Sequence, residues 1–179
     1  MKPAFADVGI VLKVVDFAEA DKLIGVLSHH HGYQEYLARG ARRMNSKKAP
    51  HLDLFNQIKF QISRGYNPQM IMQAETMNYY PSIKSGLEKT RIAMSLAEII
   101  TSVLPVEVED KETYLSLVNY FEAINKQLTK EELGKITYQF SLYILKHLGY
   151  PLPIGIQPET INSYFETIIN KKIISRQLR

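Results

Sequence analysis

The sequence has 179 residues, of which 45% are hydrophobic and 22% charged, the balance of a soluble globular protein with one domain of ordinary length or two small ones. It contains no cysteine, which excludes disulfides, iron–sulfur clusters, thiolate zinc sites and cysteine nucleophiles. The formal net charge of +4 is a modest excess, so the position of the charges along the chain is more informative than their sum.

The N-terminal segment does not have the pattern of an export signal. Asp7, Lys13 and Asp16 interrupt its apolar stretch, and the sequence has no run of 18 apolar residues that could span a membrane. The absence of cysteine suits a reducing compartment. We therefore expect a cytoplasmic protein that has no membrane partner.

Up to residue 81 the hydrophobic residues alternate with a period of two, which predicts β-strands. The clearest alternation covers residues 8–14 and 58–62, and residues 23–27, 33–38 and 70–77 are three further predicted strands. Turn-forming residues lie between these segments. Five strands without a helical stretch predict a small closed or half-closed barrel.

After Tyr80 and Pro81 the hydrophobic period becomes 3.6, which predicts helices. Ser85 and Glu88 have the spacing of a capping box that would open the first helix, and Pro105 would end it. A second helix is predicted after Asp110.

Two more helices complete the predicted helical part. Thr129 and Glu132 have capping-box spacing, and the helix that they open would end at Gly149. Pro158 stands where the first residue of a last helix is expected. The pattern as a whole predicts an α+β protein with a β-barrel domain over residues 1–81 and an all-α domain over residues 82–179.

The strongest electrostatic feature is the segment RGARRMNSKK at residues 39–48. It holds five cations and no acid: Arg39, Arg42, Arg43, Lys47 and Lys48. Cations on one loop repel each other, and a polyanion such as nucleic acid would relieve that repulsion. The alternative is an ordinary solvated basic loop.

Two tyrosines precede this segment on the neighbouring strand. Tyr33 and Tyr36 would let bases stack while the cations pair with phosphates, an arrangement that suits single-stranded nucleic acid. The sequence therefore predicts a nucleic-acid-binding site on the barrel.

Patterns for catalysis are weak. No phosphate-binding loop of the GxxxxGK[ST] or GxGxxG type is present. His29, His30 and His31 could suggest a metal site, but neighbours on a strand point to opposite faces, and a polar turn is the alternative. Glu19 and Asp21 could form an acid–base pair or be solvated turn residues. We expect no enzyme activity, no metal and no cofactor.

The sequence resembles the bacterial recombination mediator RecO family. The resemblance rests on GIVLKVVDFAEADKLIGVLS at residues 9–28 with Glu19 and Asp21, on Gly32, on RGARRMNSKK at residues 39–48, on the Leu-x-x-Phe of residues 52–55, and on HLGYP at residues 147–151. The stretch from residue 39 to residue 55 is the specific part of it. Two departures are the absence of the four-cysteine zinc module of many members and a short connection to the last helix, residues 152–157.

This resemblance implies an N-terminal OB-fold, a five-stranded barrel, followed by a helical domain. It implies a nucleoid-associated DNA repair factor that binds single- and double-stranded DNA and anneals complementary strands. It also implies that RecR is a partner and that the protein helps load the RecA recombinase onto DNA coated by single-strand-binding protein, SSB.

The resemblance further suggests a docking site for the acidic C-terminal tail of SSB. Such a tail joins carboxylates to a terminal hydrophobic residue, so its receptor needs an apolar pocket edged by cations. The best match in the helical part comprises Lys171, Lys172, Arg176, Tyr143, Tyr164 and Phe165. The alternative is that these aromatic residues form core and the cations a solvated face.

Two further classes of function compete with a DNA-binding mediator. One is an RNA-binding OB-fold protein of the cold-shock type, which the lack of an aromatic-rich strand signature disfavours. The other is a non-catalytic adaptor whose helical part docks partners and whose barrel is structural.

Overall fold

A computed structural model describes residues 4–63 and 68–169. Five strands form a closed barrel in the order β1-β2-β3-β5-β4: β1 Ala4–Phe17, β2 Asp21–Ser28, β3 Gly32–Ala38, β4 Gln57–Ser63 and β5 Met70–Asn78. All neighbours are antiparallel except β3 and β5, which pair in parallel at Leu37 and Met70. This is the five-stranded barrel of the OB-fold, as predicted, and each strand lies where the alternation of hydrophobic residues indicates.

The barrel interior is filled by one face of each strand. The residues buried there include Ile24 and Val26 of β2 and Tyr36 and Ala38 of β3. The residues that adjoin them along β2, such as Leu23 and Gly25, therefore face the outside of the barrel. The interior is apolar, which is where the free energy of burial that stabilises this fold arises.

The chain divides into two compact units. One comprises Met1–Tyr79 and Pro105–Tyr114, and the other comprises Tyr80–Leu104 and Leu115–Arg179. The barrel unit is therefore built from two separate stretches of chain. No local sequence pattern indicated the second stretch, because residues 105–110 are an irregular connection between two helices.

The second stretch covers the edge of β3. Val106 forms a parallel bridge with Tyr33, and the amide of Glu107 donates to the Tyr33 carbonyl at 3.1 Å. Gly32 has a φ of +64°, and a Cβ on it would lie 1.8 Å from the Val108 carbonyl oxygen. Only glycine allows this approach, and the segment saturates backbone groups of β3 that β5 does not pair.

Up to residue 169, where the described part of the chain ends, five helices follow the barrel strands: α1 Pro81–Ser85, α2 Leu87–Val103, α3 Lys111–Ile124, α4 Lys130–His147 and α5 Ile161–Ile169. The predicted capping box of Thr129 and Glu132 is confirmed at the start of α4. Asp110 caps α3, since its carboxylate accepts from the Thr113 amide at 2.9 Å. Within the described ranges, no helix is long and apolar enough to cross a membrane.

Two predicted helix starts are wrong. Ser85 does not cap a helix but ends α1, a short helix that begins at Pro81, and Gly86 stands before α2 without a side-chain cap. Pro158 lies in a turn, and α5 begins three residues later at Ile161. In both cases proline restricts the φ angle at its own position, but that restriction does not determine the residue at which the longer helix begins.

Candidate nucleic-acid interface

Residues 39–48, the basic loop, leave the end of β3 and are fastened to the turn between β1 and β2. The Asp21 carboxylate accepts a hydrogen bond from the Gly40 amide at 2.8 Å. The Arg42 amide donates to the Ala20 carbonyl at 2.9 Å. The sequence pattern is compatible with Asp21 as a solvated turn residue or as a member of an acid–base pair. In the structure, the Asp21 carboxylate anchors the start of the basic loop.

Two of the five cations contribute to this fastening. The Arg42 guanidinium donates to the Ala18 carbonyl at 3.0 Å and lies 3.4 Å from the Asp16 carboxylate. The half-buried Lys48 ammonium donates to the Ile71 carbonyl at 2.7 Å. Burial lowers the pKa of Lys48, and the Asp21 carboxylate opposes that effect. Both ends of the loop are thus tied to the barrel.

The other three cations are exposed. Arg39, Arg43 and Lys47 have no side-chain hydrogen bond or ion pair with any residue that the structure describes. An unpaired guanidinium or ammonium on a fastened loop keeps its donors available to an anion. These three side chains are the strongest candidates for phosphate contacts.

A groove of about 660 Å³ lies between the basic loop and β5. Its lining residues are Arg39, Gly40, Ser46, Lys47, Lys48, His51, Met72, Gln73, Ala74 and Glu75. A second depression of about 310 Å³ shares Gln73, Ala74 and Glu75 with it and extends over β4 to Lys59 and Gln61. Sequence reasoning missed the β5 side of this groove, because pairing of strands far apart in sequence creates it.

The predicted stacking role of Tyr33 and Tyr36 is not compatible with their positions. Tyr36 is fully buried, and its ring centre lies 5.5 Å from that of Phe60 in the barrel interior. Tyr33 is 3% exposed and donates to the Glu35 carboxylate at 3.1 Å. Burial, together with Glu35, raises the pKa of the Tyr33 phenol, which keeps its proton. Neither ring presents a face on which a base could stack.

The three histidines lie at the turn between β2 and β3, beside a buried acid. His30 Nδ1 lies 2.8 Å and His31 Nδ1 2.7 Å from the two carboxylate oxygens of Asp7. Burial raises the pKa of Asp7, but the hydrogen bonds from His31 and His30 outweigh it, and the pKa falls below its usual value. Among the described residues, no group of three or more potential ligands could hold a metal ion.

Of the predicted docking residues of the helical part, the structure describes the three aromatic ones. Phe165 is fully buried and offers no surface, because it lies on the inward face of α5. Tyr143 is half-buried and stacks between Phe140 and His147, and the Tyr164 hydroxyl donates to the Pro151 carbonyl. The predicted cations Lys171, Lys172 and Arg176 lie outside the described residues.

Comparison with known proteins gives one consistent result. Residues 1–80 match the family model of the recombination protein O N-terminal domain. A DNA repair protein RecO of Gloeothece citriformis is 29% identical over 149 residues, which cover 83% of this chain and 53% of that protein. A RecO of a Roseiflexus species is 27% identical over 141 residues, 79% of this chain and 48% of the relative. The RecO of Cutibacterium acnes is 31% identical over 108 residues, 60% and 44% respectively. The chain spans about half the length of the curated relatives that it matches.

Proposed function

Because residues 1–80 belong to the RecO N-terminal domain family and most of the chain is similar to RecO proteins, we propose that this chain is a non-catalytic DNA repair and recombination mediator. It binds single- and double-stranded DNA and anneals complementary strands. With RecR as a partner, it helps load RecA onto DNA coated by SSB. It acts in the cytoplasm, at the nucleoid.

One observation carries the DNA-binding part of the proposal. The basic loop is fastened at both ends, and two of its three unpaired cations, Arg39 and Lys47, line a groove of about 660 Å³. Because the loop is already ordered, an incoming phosphate chain has little loop entropy to remove. Each phosphate that pairs with a cation releases counterions, which favours binding without regard to base sequence.

Annealing is supported by the same physical argument. Cations that neutralise the phosphates of one strand reduce its repulsion of a complementary strand. A sequence-independent contact leaves the bases free to find their complements. The loop supplies such contacts without requiring a base-reading side chain.

The docking of the SSB tail is proposed for the helical part. Lys171, Lys172 and Arg176 would pair with the tail carboxylates, and the half-buried Tyr143 and Tyr164 would flank its terminal hydrophobic residue. Phe165 is left out of this site because it is buried.

The basic loop is tested by changing Arg39, Arg43 and Lys47 together to Ala. We expect weaker binding to all DNA sequences alike, and a log–log salt slope on single strands that is shallower by about 2, since each lost phosphate contact removes about 0.7. The fold should survive, because exposed cations without partners seldom support a core. Fluorescence anisotropy at several salt concentrations measures both quantities.

A matched control removes the same charge from the exposed lysines Lys111, Lys126 and Lys130 and should leave the slope unchanged. Unchanged DNA affinity in the folded loop variant would contradict the proposal. An annealing assay with complementary single strands separates the competing functions. A preference for RNA would indicate the cold-shock type of protein, and no affinity for either nucleic acid would indicate an adaptor.

A further inference from the structure

The outer face of the barrel carries exposed apolar side chains next to the basic loop. Phe17 is 50% exposed and Val15 is 44% exposed, although both belong to β1. Val15 lies opposite Leu23 of β2, which lies opposite Leu37 of β3, and both leucines are only half-buried. Leu23 and Leu37 adjoin the core residues Ile24, Tyr36 and Ala38 and therefore face outward. Val15 and Phe17 share that face, because Val15 pairs with Leu23 and Phe17 lies two residues further along β1. These four residues, Val15, Phe17, Leu23 and Leu37, are the apolar strip. An outward strip of this kind is unusual on a solvated sheet, where polar residues are expected.

Phe17 is held in place by the loop that carries the cations. It is the last residue of β1 and pairs with Asp21 across the turn. Ala18 follows it with a φ of +50°, a left-handed conformation that costs free energy in any residue except glycine. The Arg42 guanidinium donates to the Ala18 carbonyl and lies 3.4 Å from Asp16. One side chain of the basic loop thus contacts both neighbours of Phe17, the backbone of Ala18 and the carboxylate of Asp16.

We propose that Phe17 is the base-stacking residue of a single-stranded DNA site whose phosphates lie on the basic loop. The inference rests on the proposed function of that loop. Single-stranded nucleic acid requires cations for its phosphates beside an exposed ring for a base. The contacts of Arg42 with Ala18 and Asp16 place Phe17 beside the loop that carries the unpaired cations. Charge complementarity favours DNA over a protein as the occupant, because Arg42, which contacts both neighbours of Phe17, belongs to a loop with five cations and no acid.

The proposal assigns Phe17 the role that the buried Tyr33 and Tyr36 do not have. Phe17 lies at the end of the outer face formed by β1, β2 and β3, and OB-fold barrels bind oligonucleotides on the face of strands two and three. In a duplex each base is already stacked and paired, so its face is not available to a protein ring. Phe17 therefore contributes to single-strand affinity and not to duplex affinity.

The first test is the Phe17→Ala variant. Loss of one stacked base should weaken binding to a single-stranded oligonucleotide by about 5- to 150-fold. Binding to a duplex should change by less than about twofold, and the salt slope on single strands should stay the same, because stacking releases no counterion. Phe17→Leu keeps an apolar side chain but has no π-face, so its affinity should lie close to that of the alanine variant.

The second test uses the absence of tryptophan from the sequence. Phe17→Trp should retain single-strand affinity and gain an indole emission that a stacked base quenches. The matched control is Met77→Trp. Met77 is 56% exposed and lies near the end of β5 that is opposite Met70. DNA should leave the emission of a tryptophan at this position unchanged. Equal quenching at both positions would overturn the assignment.

The outcomes separate this inference from the proposed function. If the variant of Arg39, Arg43 and Lys47 loses DNA while Phe17→Ala keeps its full single-strand affinity, the loop binds DNA and the stacking role is wrong. Equal losses on single strand and duplex in Phe17→Ala would also overturn it. Full affinity in Phe17→Leu would indicate a contact with an apolar partner surface instead of a base. If the loop variant keeps its DNA affinity, both proposals fail together.

Discussion

The carboxylate of Asp7 is enclosed at the barrel wall and bonded on both oxygens. His30 and His31 approach it from the turn after β2, and the Val8 amide donates to it at 2.8 Å. A buried acid with these partners is costly to disturb, because the partners lose their hydrogen bonds when it changes. This single residue therefore ties β1 to the turn between β2 and β3.

Asp7→Asn should lower the free energy of unfolding at neutral pH by about 1–3 kcal/mol, because an amide cannot accept on both sides. The pKa of Asp7 is lowered on folding, so its stabilising contribution is present above the ordinary value of 3.8 and is lost as the pH falls through the lowered folded value. Urea unfolding at a series of acidic pH values measures this difference.

The control for Asp7 is Glu19→Gln, because Glu19 is exposed on the turn after β1. Its free energy of unfolding should stay within about 0.5 kcal/mol of that of the parent protein. If the curves of stability against pH for Asp7→Asn and the parent protein were parallel in acid, the assigned role of Asp7 would be incorrect.

At the scale of the elements, the edge of β3 depends on Gly32. A methyl group there would meet the Val108 carbonyl oxygen, and the residue would also have to keep a φ of +64°. Gly32→Ala should therefore lower the free energy of unfolding by about 1–3 kcal/mol and detach residues 105–110 from β3. Hydrogen exchange at the Glu107 amide, which donates to Tyr33, should become faster.

Gly134→Ala is the matched control for the glycine on β3. Gly134 lies inside α4, and a Cβ on it would meet no atom within 4 Å. That substitution should raise the free energy of unfolding by about 0.5–1 kcal/mol, because alanine is the better helix former. Unchanged Glu107 exchange in Gly32→Ala would show that the contact with Val108 does not hold the segment.

The elements that could be predicted from the sequence are those set by local pattern. Alternating hydrophobicity places all five strands, and Thr129 with Glu132 places the start of α4. The period of a strand does not say which of its two faces is the core, so Tyr36 could be placed on the wrong side of β3. The hydrogen bond from Gly40 to Asp21 joins residues 19 positions apart, and no local pattern reveals it. The cations could be found from composition, whereas the groove beside them required the fold.

At the scale of the whole molecule, the proposal joins two binding activities in one chain. DNA would bind the barrel unit and the acidic SSB tail the helical part. Titration of a labelled tail peptide tests the second activity, with Lys171, Lys172 and Arg176 changed together to Glu. We expect binding that is weaker by about tenfold, since three attractive charge pairs become repulsive. The control is the variant in which the charges of Lys111, Lys126 and Lys130 are reversed by change to Glu. If the peptide bound the variant of Lys171, Lys172 and Arg176 as tightly as it binds the parent protein, the tail would bind elsewhere.

The division of the barrel unit into two stretches of chain has a consequence for its synthesis. The ribosome completes β5 before it makes residues 105–114, which cover the edge of β3. At roughly 5–20 residues per second, the nascent barrel spends a few seconds with that edge uncovered. An unpaired strand edge can form backbone hydrogen bonds with a strand of another chain. During this interval, the edge of β3 is therefore most accessible to a nascent chain on a neighbouring ribosome of the same messenger RNA.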